Sequence, residues 1–329
     1  MKFIFRRLIF YVVALWATIT LNFFLPRLMP GTPAQALMAK FAGRLNPLEL
    51  KSIAIAFGLD VHQSLWQQYV TYLGQLAHGN LGVSLTFFPT PVIKVVEQAL
   101  PWTIGLVGIS TVISFILGMA MGGISSWYHG KSFDSITTTF FTFTYAFPYF
   151  WIALAVLYGL GYLWGVFPLS GAYTNGLTPG FNGPFLGSVI GHAILPALTI
   201  VFTSVGYWAV TMRNTMVATI SQDYVSLAVA KGLKTRKVLV GYAGRNALLP
   251  NLTGFAMSLG FIVSGAILTE IVFSYPGVGY LLYQAVQQED YPLIQGILLI
   301  IAISVLCANF LADLMYAYLD PRVSKEGNQ

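Results

Sequence analysis

Charge is what this chain lacks most. Its 329 residues include only 17 Lys or Arg and 11 Asp or Glu, 9% of the total, where a soluble domain carries about 25%. So few charged side chains cannot cover a water-soluble fold of this length, which excludes an ordinary cytosolic enzyme and a disordered chain. Cysteine is nearly absent: Cys307 stands alone in an apolar run, so neither an internal disulfide nor a cysteine metal site is expected. The histidines His62, His78, His129 and His192 are scattered, without metal-ligand spacing. Gly130-Lys131-Ser132 looks like the end of a phosphate loop, but Ser125 stands where that loop needs a glycine. No ATP site of that kind, no catalytic constellation and no metal site is expected in this chain.

What the chain has is apolar mass. Hydrophobic residues make up 56% and aromatics 15%, and the mean hydropathy is +0.71. This predicts an all-α polytopic membrane protein. A span needs about 20 mainly apolar residues, and six segments qualify: 8–26, 101–126, 136–165, 190–218, 250–272 and 292–318. The net charge of +6 is then a matter of topology and not of nucleic acid. Lys2, Arg6, Arg7, Lys131, Arg213, Lys231, Lys234, Arg236, Lys237, Arg245, Arg322 and Lys325 fall on one side of the six spans. Arg27, Lys40, Arg44, Lys51 and Lys94 fall on the other. The positive-inside rule places both termini in the cytoplasm.

The expected division is a cytoplasmic end and first span at 1–26, an external helical segment at 27–100, a core at 101–318 and a cytoplasmic tail at 319–329. In the external segment, Pro47 to Gly58 reads as one helix. Leu65, Trp66, Tyr69, Val70, Leu73 and Leu76 recur at helical spacing as one apolar face, expected to pack on the spans or on a partner. Pro148, Pro196 and Pro292 are expected to bend or start helices. Gly118, Gly122 and Gly123 allow close helix approach.

Three places carry candidate function. Tyr145, Phe147 and Tyr149 surround Pro148, either as an interfacial belt or as rings lining a pathway. Glu270 and Asp313 are carboxylates near span ends, where a structural or a gating role is open. Glu270 precedes Pro276, Gly277 and Gly279, whose glycines are expected to permit a tight, re-entrant turn. The third place is the loop 219–249, read as a coupling loop. Asp223, Tyr224, Ala228, Ala230 and Lys231 form a short helix with its acid and base at the favourable ends. Gly232, before Leu233, ends it in the left-handed conformation, and Pro250 is expected to start the next span.

Ser226-Leu227-Ala228, Gly232 and Leu249-Pro250 resemble the Glu-Ala-Ala…Gly…Leu-Pro loop of ATP-binding-cassette importer permeases, although the glutamate is missing. Ala230-Lys231-Gly232-Leu233 and Arg245-Asn246-Ala247-Leu248-Leu249-Pro250 look like the dipeptide/oligopeptide branch, of the B-type permease kind. So do Arg6-Arg7, Pro30-Gly31-Thr32-Pro33, Leu65-Trp66-Gln67-Gln68-Tyr69, Gly79-Asn80-Leu81-Gly82 and the run from Thr269 to Gly279. The resemblance implies a multi-pass permease subunit of the bacterial inner membrane that forms a pathway with a second, homologous permease. It implies two ATP-binding-cassette subunits, which hold ATP and Mg and dock on residues 223–233, and an external binding protein that delivers peptides or similar solutes. Nickel, glutathione and short sugars stay open as cargo. A stand-alone ion-coupled carrier would be expected to show a repeated half, which is not seen; a structural or assembly subunit is the other rival.

Overall fold

The computed structural model describes residues 2–28, 64–264 and 266–319. The Pro30-Gly31-Thr32-Pro33 motif, the helix expected from Pro47 to Gly58 and the tail from 320 onward lie outside the described residues. Among the described residues eleven principal helices follow in order: α1 (Lys2–Leu28), α2 (Leu65–Ala77), α3 (Val92–Trp127), α4 (Ser132–Ala146), α5 (Tyr149–Leu163), α6 (Gly183–Ile220), α7 (Asp223–Ala230), α8 (Arg245–Gly260), α9 (Ile267–Val272), α10 (Val278–Gln287) and α11 (Tyr291–Leu319).

Among the described residues, four helices are long and apolar enough to cross a membrane: α1, α3, α6 and α11. They become five if α4 and α5, bent by 92°, together make one span. That bend lies at Pro148. Proline disfavours helix in the residue before it and has no N–H to continue one, so α4 ends at Ala146 and α5 begins at Tyr149. The expected span at 250–272 is not one helix. It divides into α8, a 3₁₀ turn at Ile262–Ser264 and α9. Nor does Pro250 start it: the proline lies inside α8, which follows a π-helical stretch at Val238–Gly244. The second span starts at Val92 instead of 101, because Pro101 is accommodated within α3 and a π-helical turn follows at Ile104–Gly108.

The chain divides into two compact units, residues 1–101 with 277–329, and residues 102–276. The core expected at 101–318 is thus shared between them. In the first unit α1 and α11 run antiparallel, held near one end where Arg7 and Tyr11 donate to Asp313. Towards the other, Asn22 Nδ2 donates to the Gln295 carbonyl at 2.7 Å and Gln295 Nε2 to the Asn22 carbonyl at 3.0 Å. The core of this unit joins Val92, Val95 and Val96 to Val278, Leu281 and Ala285 of α10 and to Leu293, Ile294 and Ile297 of α11. Asp290, fully buried, accepts from Ser84 Oγ, from the Thr86 amide at 2.8 Å and from the Leu293 amide at 3.2 Å. It therefore caps α11 and pins the 84–87 loop with one carboxylate. On α2 the expected face is split. Tyr69 is buried, bonded to Thr20 at 2.7 Å and packed on Phe23, while Leu65, Trp66 and Val70 are exposed. One helical stripe can meet α1; Trp66 and Val70 flank it.

In the second unit α6 packs along both α3 and α4. An added Cβ at Gly118 would come within 2.4 Å of Trp208 Cβ, and at Gly122 within 2.3 Å of the Ala209 carbonyl oxygen. At Gly206 it would reach 2.3 Å from the Phe141 carbonyl oxygen. These three glycines set the spacing of the three helices. Gly123, by contrast, faces open space. Gly206→Ala should therefore cost about 1–3 kcal/mol through overpacking. Gly123→Ala should gain about 0.5–1 kcal/mol through helix propensity. Thermal unfolding of the two variants in one detergent checks the opposite signs.

Candidate functional site

Two residues separate α6 from α7, which carries Asp223, Tyr224, Ala228 and Ala230 of the expected coupling residues, with Lys231, Gly232 and Leu233 at its end. Val225 and Ala228 are buried against Met212 and Met216 of α6 and against Val238, Ala243 and Ala247. Asp223 lies in the first turn, where a negative charge favours the helix. The outward side exposes Tyr224, Leu227, Val229 and Ala230. The Tyr224 hydroxyl accepts from Asn246 Nδ2 at 2.9 Å, which ties α7 to α8. A cavity of about 360 Å³ lies beneath, lined by Trp127, Ile220, Val225, Val229 and Val238 among others. The helix closes at Lys231, and Gly232 follows with φ +72°. Its amide donates to the Val229 carbonyl at 2.9 Å, and the Leu233 amide donates to the Ala228 carbonyl at 3.4 Å. This is a Schellman ending, and Gly232 fills the position where a Cβ is disfavoured. Leu233 is half-buried against the same cluster.

The second place centres on Glu270, fully buried in α9. Thr103 Oγ1 donates to Glu270 Oε1 at 2.9 Å, and the π-helical turn of α3 begins at the next residue. The turn after α9 differs from expectation. The left-handed residue is Ser274, at φ +45°, and the Tyr275 amide donates to the Glu270 carbonyl at 2.8 Å. Gly277 is extended, with φ −85° and ψ −180°, and starts α10; Gly279 lies buried within α10. The tight turn is a helix ending built on Ser274, with Pro276 half-buried behind it. The loop between α5 and α6 closes over this place, its Gly171 amide donating to the Phe273 carbonyl at 3.0 Å. Trp102 stacks on Tyr173 at 5.9 Å and meets Tyr275 edge-on at 6.0 Å. Tyr145, Phe147 and Tyr149 stand exposed at the Pro148 break.

Sequence reasoning passed over Thr103 and Asp134, and met Asn246 only as part of a motif. Asp134, buried at the start of α4, pairs with Arg213 of α6. The available signal was a lone acid and a lone base, each at the same-side end of an apolar helix. His129 also reaches this pair, and His192 is buried with Nδ1 donating to the Ser188 carbonyl at 2.8 Å.

A family model described as the binding-protein-dependent transport system inner membrane component matches residues 114–325. The di/tripeptide transport system permease protein DppB of Pseudomonas aeruginosa is 34% identical over 98% of each chain. The dipeptide transport system permease protein DppB of Escherichia coli K12 is 30% identical over 98% of each chain. The oligopeptide transport system permease protein AppB of Bacillus subtilis is 31% identical, again over 98% of each.

The Thr103–Glu270 contact is open to a direct test. Thr103→Val keeps the shape and removes a donor to a buried carboxylate, so it should destabilise by about 1–3 kcal/mol. Thr103→Ser keeps the donor and should stay near the parent. Thermal midpoints of the purified variants decide between them.

Proposed function

The chain belongs to the family of binding-protein-dependent transport inner membrane components, and from that premise we propose that it is a permease subunit of an ATP-driven importer of di- or oligopeptides. Family membership makes it a multi-pass inner-membrane transport protein, not an enzyme, that works with a permease partner, ATPases and a binding protein. The finer reading is that it crosses the membrane six times with both termini in the cytoplasm. It pairs with one homologous permease, and two ATPase subunits hold the ATP and Mg; no cofactor resides in this chain.

One observation carries the mechanism. Helix α7 has eight residues, too few to cross a bilayer, and Lys231, Lys234, Arg236 and Lys237 follow it directly. It lies in water, yet it exposes Leu227 and Val229 at 55% and 59%. An apolar ridge in water beside a charged segment calls for a protein partner, and in this family that partner is the ATPase. The buried face of α7 sits on α6, so a push on the ridge moves α6. The stretch from Tyr145 to Tyr149, on the Pro148 break, is where such motion changes the pathway. Glu270 and the Ser274 turn form an assembly or gating point at the other end of the unit. The peptide cargo is inferred from the names of the relatives, and selection falls mainly to the binding protein.

Two measurements test this. Gly232→Val places a β-branched residue in the left-handed region, at a cost of about 1–2 kcal/mol, and opens the end of α7. ATP-driven uptake should be lost in membranes that contain normal amounts of the chain, and Gly232→Asn, which tolerates positive φ better, should retain part of it. Unchanged uptake by Gly232→Val would remove α7 from the mechanism. Glu270→Gln keeps the shape and weakens the charge-assisted bonding, so uptake should fall in part with no new dependence on external pH. A proton-relay carrier would instead lose uptake outright in that variant, and its parent would run on a proton gradient without ATP.

A further inference from the structure

The Asp134–Arg213 pair has no part in the reading above, and its construction is unusually complete. Arg213 presents its fork to the carboxylate, Nε to Oδ1 at 3.0 Å and Nη2 to Oδ2 at 2.6 Å. Ser125 Oγ, at the end of α3, donates to Oδ1 at 2.8 Å, and the Gly130 amide donates to Oδ2 at 3.2 Å. Thr138 Oγ1, one turn into α4, donates to Oδ1 at 3.2 Å. His129 Nδ1 lies 3.0 Å from Asp134 Oδ2 and 2.9 Å from Arg213 Nη2. A neutral imidazole nitrogen donates to the first or accepts from the second, not both. Asp134 is 3% exposed, so its charge is removed from water, and a buried ion pair adds little net stability over apolar packing. What the bidentate geometry does supply is register, since a fork on a carboxylate does not slide as apolar surfaces do.

Its position gives that register a use. The pair ties α3, the 127–131 turn and α4 to α6, and seven residues beyond Arg213 the helix ends and leads into α7. The same three helices meet at Gly118, Gly122 and Gly206, where even a methyl group has no room. At the far end of α4 comes the 92° break at Pro148.

We propose that Asp134 and Arg213 are positioning residues, a latch that makes α3, α4 and α6 one rigid body with α7, so that displacement of α7 reaches the Pro148 break without being absorbed on the way. This rests on α7 being the ATPase contact. Without the latch α4 can rotate against α6, and ATP hydrolysis continues while less solute moves for each ATP consumed.

The test uses the assembled transporter carrying Cys307→Ser, with spin labels at Ile136→Cys on α4 and Lys234→Cys just past α7. Both positions are exposed. The parent should give one narrow label-to-label distance that ATP does not change. Asp134→Asn/Arg213→Gln removes both charges without leaving a buried carboxylate unpaired, so the chain should still assemble. Its distance distribution should broaden, and solute moved per ATP should fall by about fivefold or more, within the range of coupling between sites. Arg213→Lys, which keeps the charge but not the fork, should fall between. A parent distance that shifts on ATP addition overturns the latch, as does a neutral-pair variant that moves as much solute per ATP as the parent. Failure of the importer reading looks different. The parent complex itself would show no ATP-driven uptake, while the broadening in the neutral-pair variant would still report on the latch.

Discussion

A backbone inside a bilayer has no water to bond, so every amide and carbonyl there must find its partner within the protein. This constraint explains why the chain bends where it does. Pro148 lacks an N–H and breaks one apolar stretch into α4 and α5. Pro101 and Pro250 stay inside helices that carry π-helical turns nearby, at Ile104–Gly108 and Val238–Gly244. Four helix ends among the described residues close with the same six-to-one bond: from Asn80 to Gln75, from Leu233 to Ala228, from Tyr275 to Glu270 and from Asp290 to Ala285. The left-handed residue is a glycine in the first two, Gly79 and Gly232, but Ser274 and Glu289 in the others. A non-glycine there costs roughly 1–2 kcal/mol, so surrounding packing must hold those two turns, and Tyr275 and Asp290, both buried, supply it.

The scarcity of charge has a counterpart in how acids are used. Asp313 meets Arg7 from 306 positions away in sequence, Asp290 meets Ser84 from 206, Glu270 meets Thr103 from 167 and Asp134 meets Arg213 from 79. Each joins segments that local helix formation cannot bring together. A buried carboxylate without donors is strongly unfavourable, so each of these joins fixes a particular pairing and disfavours slipped alternatives.

The membrane class, most of the helices and the helix ending at Gly232 were legible in the sequence because hydropathy, proline and glycine act locally. The rest was not, for a common reason. Gly277 and Gly279 looked like the turn because glycine is the usual left-handed residue, yet the turn falls on Ser274, where tertiary packing outweighs propensity. Period 3.6 marks a face on α2 but not its width: within this chain only the stripe at Tyr69 meets α1, and Trp66 lies outside it. The segment at 250–272 looked like one span because its composition is apolar throughout, while its break after Gly260 depends on packing. Asp134 was invisible because nothing local connects it to Arg213.

Helix α3 shows how stiffness is distributed through residues 102–276. One end is held by Ser125 on the Asp134–Arg213 pair, and Gly118 and Gly122 lock the helix against α6 with no clearance. Within this unit the helix is also held by Thr103 on Glu270, where it passes at once into a π-helical turn. A π turn carries an extra residue within the helical ladder, which makes it a natural site of bending; a close-packed glycine contact responds as a unit. On the proposed reading, motion that enters beside α7 meets the stiff end of α3 first and is passed along the helix. Irregular ladders lie next to Glu270, at Ile104–Gly108, and also at Leu157–Leu163 and Val238–Gly244. On the proposed reading, α7 drives the Ser125 end of this stretch of α3, and the π-helical turn beside Glu270 is one place where it yields.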